Sequence, residues 1–109
     1  MQRMGMVLGI KPDAIEEYKR VHRAVWPDFL ALLSDHGITN YTIFLREPEN
    51  LLFGCWEYVG DDFEADMKVM AESPLTEKWN LLCMPMQQPL ATIKAGEWWA
   101  PMEDVFHMD

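Results

Sequence analysis

Three side chains near the start of the chain have types and spacing suited to proton chemistry on a small polar ligand. Tyr18 and His22 are four residues apart, so on a helix they lie one turn apart on the same face. Trp26 and Pro27 follow closely. A hydroxyl, a titratable imidazole and an indole within so short a segment predict a small polar site with apolar walls.

The same spacing also fits a helix face that only packs in a core. Ile15, Tyr18, His22 and Val25 recur at intervals of three and four, as buried positions of a helix do. On that interpretation His22 makes an ordinary hydrogen bond and Tyr18 directs its hydroxyl to the rim. Periodicity alone favours packing over a site.

Aromatic residues elsewhere in the chain favour a site instead. Tyr41 lies in a predicted strand and shares its parity with Thr39 and Ile43, while Trp79 lies on a later predicted helix. Several amphipathic rings can therefore line one pocket with Tyr18. Stacked aromatic faces and hydroxyls suit a sugar, which has apolar C–H faces and a hydrogen-bonding rim.

The pattern of apolar residues predicts the elements that must position these side chains. Predicted strands cover residues 4–10, 38–45, 51–58 and the aromatic C-terminal part, 97–108. Predicted helical segments begin at Pro12, Asp28, Phe63 and Pro74, with Pro27 separating the first two. Pro85 and Pro89 bracket an irregular connection. The predicted order is strand, helix, strand, strand, helix, strand.

That order is the split β-α-β arrangement of a ferredoxin-like α+β domain, in which helices cover one face of an antiparallel sheet. The other face also needs a cover, because the strand at 51–58 is apolar at both parities. A sheet with one solvated face would alternate more cleanly. The sequence therefore predicts a homodimer that packs two sheets face to face.

Length and charge restrict the class of ligand. The chain has 109 residues, which predicts a single domain over 1–109, and 18 acidic against 9 basic residues give a net charge of -9. Such a charge disfavours nucleic acid and anionic membranes, and favours a neutral partner. No apolar stretch reaches the ~20 residues of a membrane span, so a cytoplasmic location is expected. Cys55 and Cys83 are expected to be free and mostly buried, and no metal site is predicted.

A dense set of motifs covers nearly the whole chain. The motifs are Lys11-Pro12-Asp13, Glu17-Tyr18, Arg20, His22, Trp26-Pro27, His36-Gly37, Asn40-Tyr41, Ile43, Leu45, Asn50-Leu51-Leu52-Phe53 and Val105-Phe106-His107-Met108. In these motifs the chain resembles the L-rhamnose mutarotases. The resemblance implies a dimeric ferredoxin-like α/β barrel and an isomerase that needs neither cofactor nor metal. Its reaction is the interconversion of α and β anomers of a 6-deoxy-hexose by acid/base opening of the ring.

The resemblance also implies roles for individual residues. The proton-donor histidine of the family falls on His22, and its substrate-contacting tyrosines fall on Tyr18 and Tyr41. A Trp-Trp pair that lines the sugar in the family falls on Trp79 and Asn80, so only the first tryptophan is present. After Pro85 the likeness thins, and Trp98-Trp99 appears where the family has no such pair; core or dimer packing is its favoured role.

Several alternatives remain open at this stage. L-fucose or another deoxy-sugar is an alternative substrate, because Asn80 changes one wall of the predicted pocket. The proton acceptor is a water, a tyrosine or a carboxylate such as Glu103. A small ferredoxin-like monooxygenase and a non-catalytic sugar-binding module are the rival classes of protein.

Overall fold

The computed structural model describes all 109 residues as one antiparallel sheet with four α-helices on one of its faces. The strands are β1 (Gln2–Ile10), β2 (Ile38–Arg46), β3 (Leu51–Tyr58), β4 (Gln87–Gln88) and β5 (Ala100–Met102). The helices are α1 (Ile15–His22), α2 (Pro27–Asp35), α3 (Phe63–Glu72) and α4 (Pro74–Cys83). Short 3-10 turns at Pro12–Ala14 and Met84–Met86 precede α1 and follow α4. The predicted α+β class is confirmed.

The sheet places β1 at its centre. Strands follow one another in the order β2, β3, β1, β4, and β5 pairs with β1 beside β4. All pairs are antiparallel, and the register sets Leu8 opposite Leu52 and Val7 opposite Phe53. Because directly opposed residues share a face, Leu8 and Leu52 belong to one face and Val7 and Phe53 to the other.

All four helices pack on the face that carries Leu8 and Leu52. Next to α1 and α4, the buried side chains form one cluster: Ile10, Ile15, Tyr18, Val21, Leu52, Cys83 and Met86. Next to α2 and α3, a second cluster contains Ile38, Trp56 and Tyr58. The prediction that helices cover one face of the sheet is therefore correct.

Local signals in the sequence set the ends of the helices. Trp26 is extended, with ψ 127°, because Pro27 excludes helical geometry before it, and Pro27 then starts α2. The Asp62 side chain accepts from the backbone N–H of Ala65 to cap α3, and Ser73 caps α4 in the same manner. No helix has both the length and the apolar character that crossing a membrane requires.

A bulge in β2 changes the predicted parity of Tyr41. Thr39 pairs with Glu57, whereas Ile43 pairs with Gly54, so Thr39 and Ile43 lie on opposite faces of the sheet. The register shifts between them, where Asn40 adopts a left-handed φ of 51°. Tyr41 stays with Ile43 on the helix face, and the expectation that it shares a face with Thr39 was wrong.

The C-terminal third departs most from the predicted elements. Gln87–Gln88, within the segment expected to be irregular, forms β4 and pairs with Gly9 and Ile10. The long strand expected over 97–108 is limited to Ala100–Met102, because Pro101 cannot donate to a ladder and residues 103–109 leave the sheet. Both outcomes depend on pairing with β1, which is distant in the sequence and cannot be inferred from local patterns.

The face of the sheet opposite the helices carries apolar side chains without a cover. Val7, Phe53 and Phe44 lie side by side across three strands, and Phe44 is 58% exposed. Cys55 is exposed on this same face, so the expectation of a buried thiol holds for Cys83 but not for Cys55. Both cysteines are free, as predicted.

Candidate active site

A cavity of about 130 Å³ opens between α1 and the helix face of the sheet. Strands β1, β2 and β3 supply aliphatic walls, and α1 supplies every polar group. The lining residues are Ile10, Ile15, Tyr18, Lys19, His22, Ile43, Leu45 and Leu52. Tyr18, Lys19 and His22 are thus the lining residues that carry polar groups, and the other walls are aliphatic.

The imidazole of His22 is oriented by its own helix. Its Nδ1 lies 2.8 Å from the carbonyl oxygen of Tyr18, four residues earlier. A carbonyl only accepts, so Nδ1 carries the hydrogen and Nε2 of the neutral ring has a free lone pair. One nitrogen of the ring is therefore used for positioning, and the other is available for proton transfer.

Aromatic rings enclose His22 on two sides. The Tyr18 ring stacks on the imidazole with centroids 4.0 Å apart, and Trp79 meets it edge-on at 5.3 Å. Trp79 is itself held by Trp26 at 5.1 Å and by Phe29, which stacks at 5.2 Å. The break at Trp26 before Pro27 thus helps place the ring that borders the imidazole, and three sequence-predicted residues come together: Tyr18, His22 and Trp79.

Burial changes the acidity of His22. Removal from water lowers the pKa of the imidazole below 6.5, and the hydrogen bond to the Tyr18 carbonyl offsets only part of this change. The neutral ring therefore predominates near pH 7, and the imidazolium, when formed, is a stronger acid than an exposed one. Both properties suit a group that gives up and regains a proton during one reaction.

Burial acts in the opposite direction on the two predicted tyrosines. It raises the pKa of the Tyr18 hydroxyl well above its usual value and that of Tyr41 to about 12. The neighbouring Cys83 thiol, whose own pKa is raised to about 12, contributes to both increases. Both phenols therefore stay protonated and act as hydrogen-bond donors.

Tyr41, Trp79 and Asn80 are not among the residues that line the cavity, although Trp79 contacts His22. As a whole residue Tyr41 is 40% exposed, but its hydroxyl is removed from water, and its ring lies 6.2 Å from that of Trp56. The Tyr41 hydroxyl is near enough to that of Tyr18 to raise the pKa of Tyr18. Asn80 follows Trp79 on α4 with an exposed side chain. The structure thus unites Tyr18, His22 and Trp79, brings Tyr41 near them, and leaves Asn80 at the surface.

Glu103, one of the carboxylates considered as proton acceptor, lies elsewhere. It lines a second cavity of about 470 Å³ with Arg3, Glu57 and residues of the C-terminal segment. That cavity shares no lining residue with the one that holds His22. Within one chain, Glu103 is therefore not a partner of His22.

A buried glutamine, which the sequence did not predict as a site residue, also belongs to the site. Gln87, on β4, is 6% exposed, and its Nε2 lies 3.3 Å from the Tyr18 hydroxyl oxygen. Its Oε1 accepts from the indole Nε1 of Trp98 at 2.8 Å. Trp99, by contrast, packs over Gly54 in the core, as expected for that residue. No periodic signal marks Gln87, since its burial depends on contacts across the fold.

The other two histidines have separate roles. His36 donates from Nδ1 to the carbonyl of Leu32 at 2.8 Å and so caps the end of α2. His107 pairs with Asp109 at 2.8 Å in the exposed C-terminal segment. No group of three or more His, Cys, Asp or Glu side chains is arranged to hold a metal ion.

Comparison with known protein families gives a consistent result. A family model described as L-rhamnose mutarotase matches residues 3–108. The L-rhamnose mutarotase of Oceanobacillus iheyensis is 33% identical over 115 aligned positions and is covered, like this chain, over 100% of its length. That of Shigella flexneri is 34% identical over 105 positions, which cover 96% of this chain and 80% of the relative.

Solved structures agree with these relatives. The crystal structure of an L-rhamnose mutarotase from Formosa agariphila superposes with a TM-score of 0.81 at 26% identity, with 100% of each chain covered. A type-II polyketide cyclase from Streptomyces glaucescens superposes with a TM-score of 0.75 over 100% of this chain and 98% of its own. At 18% identity the second likeness shows the fold alone.

Proposed function

This chain belongs to the L-rhamnose mutarotase family, and from that premise we propose that residues 1–109 form one isomerase unit that interconverts the α and β anomers of L-rhamnose. The observation that carries the proposal is His22, which lines an apolar cavity and has no protein partner on Nε2, while its Nδ1 donates to the Tyr18 carbonyl. L-fucose or another 6-deoxy-hexose is the runner-up substrate. The reaction needs no cofactor.

The cavity supports a small neutral ligand. Pockets for drug-sized ligands measure roughly 300–1,000 Å³, whereas this cavity measures about 130 Å³. Aliphatic walls match the C–H faces of a pyranose and the methyl group of a deoxy-sugar, and the hydroxyl and imidazole match its rim. The net charge of -9 disfavours phosphorylated sugars.

Mutarotation is a proton exchange between two oxygens of one sugar. The protonated His22 donates from Nε2 to the ring oxygen while the anomeric hydroxyl loses its proton, and the bond between the anomeric carbon and the ring oxygen breaks. Rotation of the open aldehyde by half a turn presents its other face. The ring then closes, the former ring oxygen returns its proton to Nε2, and the anomeric oxygen is protonated again. Such proton transfers contribute roughly 10² to 10⁴ in rate.

The remaining predicted residues hold the sugar in this proposal. Tyr18 and Tyr41 donate to sugar hydroxyls, because burial keeps both phenols protonated. Trp79 provides a flat apolar wall beside the imidazole. Asn80, exposed beside Trp79, contacts the part of the sugar nearest the surface.

Water is our proposed acceptor for the anomeric proton. The raised pKa values of Tyr18 and Tyr41 make their phenolates rare, and neither tyrosine is then an effective base. Glu103 lines a different cavity. A water at the mouth of the cavity fits both observations.

A homodimer is also part of the proposal. The uncovered face of the sheet carries Val7, Phe44 and Phe53, and the segment after β5 exposes 90% of Val105 and 82% of Phe106. A second copy of the chain, packed sheet to sheet, would bury these side chains together. In a single copy of the chain these side chains form an exposed apolar surface of the type found at protein interfaces.

The cytoplasm is the proposed location, and neither nucleic acid nor membrane is a proposed partner. Two free cysteines, one exposed, suit a reducing compartment. The acidic charge repels phosphate backbones and anionic lipid headgroups.

Anomer-exchange NMR on L-rhamnose, L-fucose and related sugars tests the reaction and its substrate together. We expect the protein to accelerate exchange between the two anomeric C1–H resonances of at least one 6-deoxy-hexose well beyond the rate in buffer. A sugar that binds without faster exchange would indicate a binding module instead. Absence of both effects across the panel would exclude the family's activity for this chain.

A further inference from the structure

Two hydrogen bonds link Trp98 to Gln87 and Gln87 to Tyr18, and we call these three side chains the network. Which atom donates in each bond follows from the chemistry of the groups. The indole Nε1–H of Trp98 can only donate, so the Gln87 atom 2.8 Å from it must be the amide oxygen. The amide nitrogen of Gln87 consequently faces the Tyr18 hydroxyl, 3.3 Å away, and donates to it. The amide of Gln87 has no freedom to reverse without losing both hydrogen bonds.

This direction determines what Tyr18 can do. Its oxygen accepts from Gln87, so the hydroxyl hydrogen of Tyr18 is not used in that bond. No protein group accepts that hydrogen, although Tyr18 is 5% exposed and lines the cavity. A buried hydroxyl with an unused hydrogen is ready to donate to a ligand oxygen.

We propose that Trp98 and Gln87 are positioning residues that hold the Tyr18 hydroxyl as a hydrogen-bond donor to one oxygen of the bound sugar. The inference rests on the proposed function. It assigns a role to two residues of the C-terminal third, Gln87 on β4 and Trp98 in the segment before β5. The indole anchors the amide, the amide occupies the acceptor side of the phenol, and the phenol presents its hydrogen to the cavity.

Anomer-exchange kinetics of four single variants test this arrangement. Gln87→Met and Trp98→Phe remove one link each, while Gln88→Met and Trp99→Phe make the same changes at the neighbouring positions, outside the network. We expect Gln87→Met and Trp98→Phe to raise KM about 3- to 10-fold, the worth of one misdirected hydrogen bond, with kcat changed less. Gln88→Met and Trp99→Phe should retain the wild-type KM.

A structural role alone would give a different result. Loss of packing or of a buried hydrogen bond lowers the melting temperature and the amount of folded enzyme, but leaves KM of the folded fraction unchanged. Wild-type KM in both network variants would therefore overturn the proposal. If one variant does not fold, the other still tests the proposal, because each substitution breaks the hydrogen bonds that hold the Tyr18 hydroxyl as a donor.

A double-mutant cycle with Tyr18→Phe tests whether the effect passes through that hydroxyl. Once the hydroxyl is absent, Trp98→Phe should raise KM no further. Additive increases in KM would show that Trp98 acts by another route and would contradict the proposal.

Gln87→Glu supplies a pH-dependent test. The protonated carboxyl reproduces the glutamine, accepting from Trp98 and donating to Tyr18, whereas the carboxylate accepts from both and takes the Tyr18 hydrogen away from the sugar. We expect KM of Gln87→Glu, relative to Gln88→Glu at each pH, to approach the wild-type value as the pH falls. A pH-independent ratio would contradict the proposed direction.

One readout does not require activity. The indole ¹⁵N–¹H resonance of Trp98, identified by its absence in Trp98→Phe, should shift and exchange faster with solvent in Gln87→Met. A wild-type protein that exchanges no sugar would contradict the proposed function, whereas an active wild type with an unchanged Trp98 resonance in Gln87→Met would contradict the network alone.

Discussion

The Nδ1 hydrogen of His22 is donated to the backbone carbonyl of Tyr18, 2.8 Å away and one helical turn earlier. Because the same two residues also stack their rings at 4.0 Å, the imidazole is fixed in both tautomer and orientation. The residue that positions the proposed catalytic imidazole thus also lines the cavity. Three measurable predictions concern the proton on His22, one concerns the choice of sugar, and one concerns assembly.

Replacement of His22 by alanine should slow anomer exchange by roughly 10² to 10⁴. Nε2 is the proposed proton-transfer atom, so kcat should fall far more than affinity for the sugar. His36→Ala is the matched control, since His36 also donates from Nδ1 to a carbonyl four residues earlier but lies at the end of α2, outside the cavity. Exchange NMR at saturating sugar measures both, and equal rates for wild type and His22→Ala would remove His22 from this role.

The pH dependence of kcat/KM should follow the acid form of His22. Burial lowers the pKa of this imidazole below 6.5, so activity should be highest at acidic pH and decline as the pH rises through that lowered value. Polarimetry or exchange NMR between pH 5 and 8 gives the profile. An activity that rises with pH over the same range would assign His22 as the base instead.

The same lowered pKa predicts how stability depends on pH. On acidification the unfolded chain takes up a proton at His22 first, near pH 6.5, because the folded state holds this pKa lower. The contribution of His22 is therefore intact above about pH 6.5 and is lost as the pH falls from there through the folded pKa. Melting temperatures from pH 7.5 to 5 should fall more steeply for the wild type than for His22→Ala; parallel curves would argue against the burial effect.

Asn80→Trp should change the choice of sugar rather than the proton transfer. The side chain at this position is exposed beside Trp79, and an indole there would add a second aromatic wall. We expect the ratio of kcat/KM values for L-rhamnose and L-fucose to shift, with the shape of the pH profile retained. An unchanged ratio would place residue 80 outside the sugar site.

A charge on the uncovered face of the sheet should weaken the proposed dimer. Phe44 is 58% exposed on that face, and Phe44→Asp would force a carboxylate into the apolar interface. Leu81→Asp is the control, since Leu81 is 70% exposed on α4, on the helix side. Sedimentation equilibrium should show the wild type and Leu81→Asp as dimers and Phe44→Asp shifted towards monomer. A monomeric wild type would refute the assembly.

Local chemistry makes part of this protein readable from its sequence. The break at Trp26 and the start of α2 depend on the ring of Pro27, and the contact of Tyr18 with His22 depends on helical spacing. The strand Leu51–Tyr58 was predicted with its observed limits, because alternation and flanking turns are properties of neighbouring residues.

Pairing between strands that are distant in the sequence decided the face of Tyr41 and the burial of Gln87, which local patterns did not predict. The bulge at Asn40 set the face of Tyr41, because the register of β2 against β3 shifts there. Gln87 became a buried strand residue, contrary to the irregular connection expected, since Ile10 pairs with its backbone and Tyr18 and Trp98 satisfy its side chain. Polarity by itself predicts exposure for glutamine.

The sequence by itself determined the family, the helix that carries Tyr18 and His22, and the α+β class, because each depends on residue types at short spacing. Only the tertiary structure decided that His22 lines a cavity with no protein partner on Nε2, that Asn80 lies at the surface, and that Gln87 links Trp98 to Tyr18. The physical reason is that burial and hydrogen-bond partners are set by residues far apart in the chain, which the folded sheet brings within about 3 Å of one another.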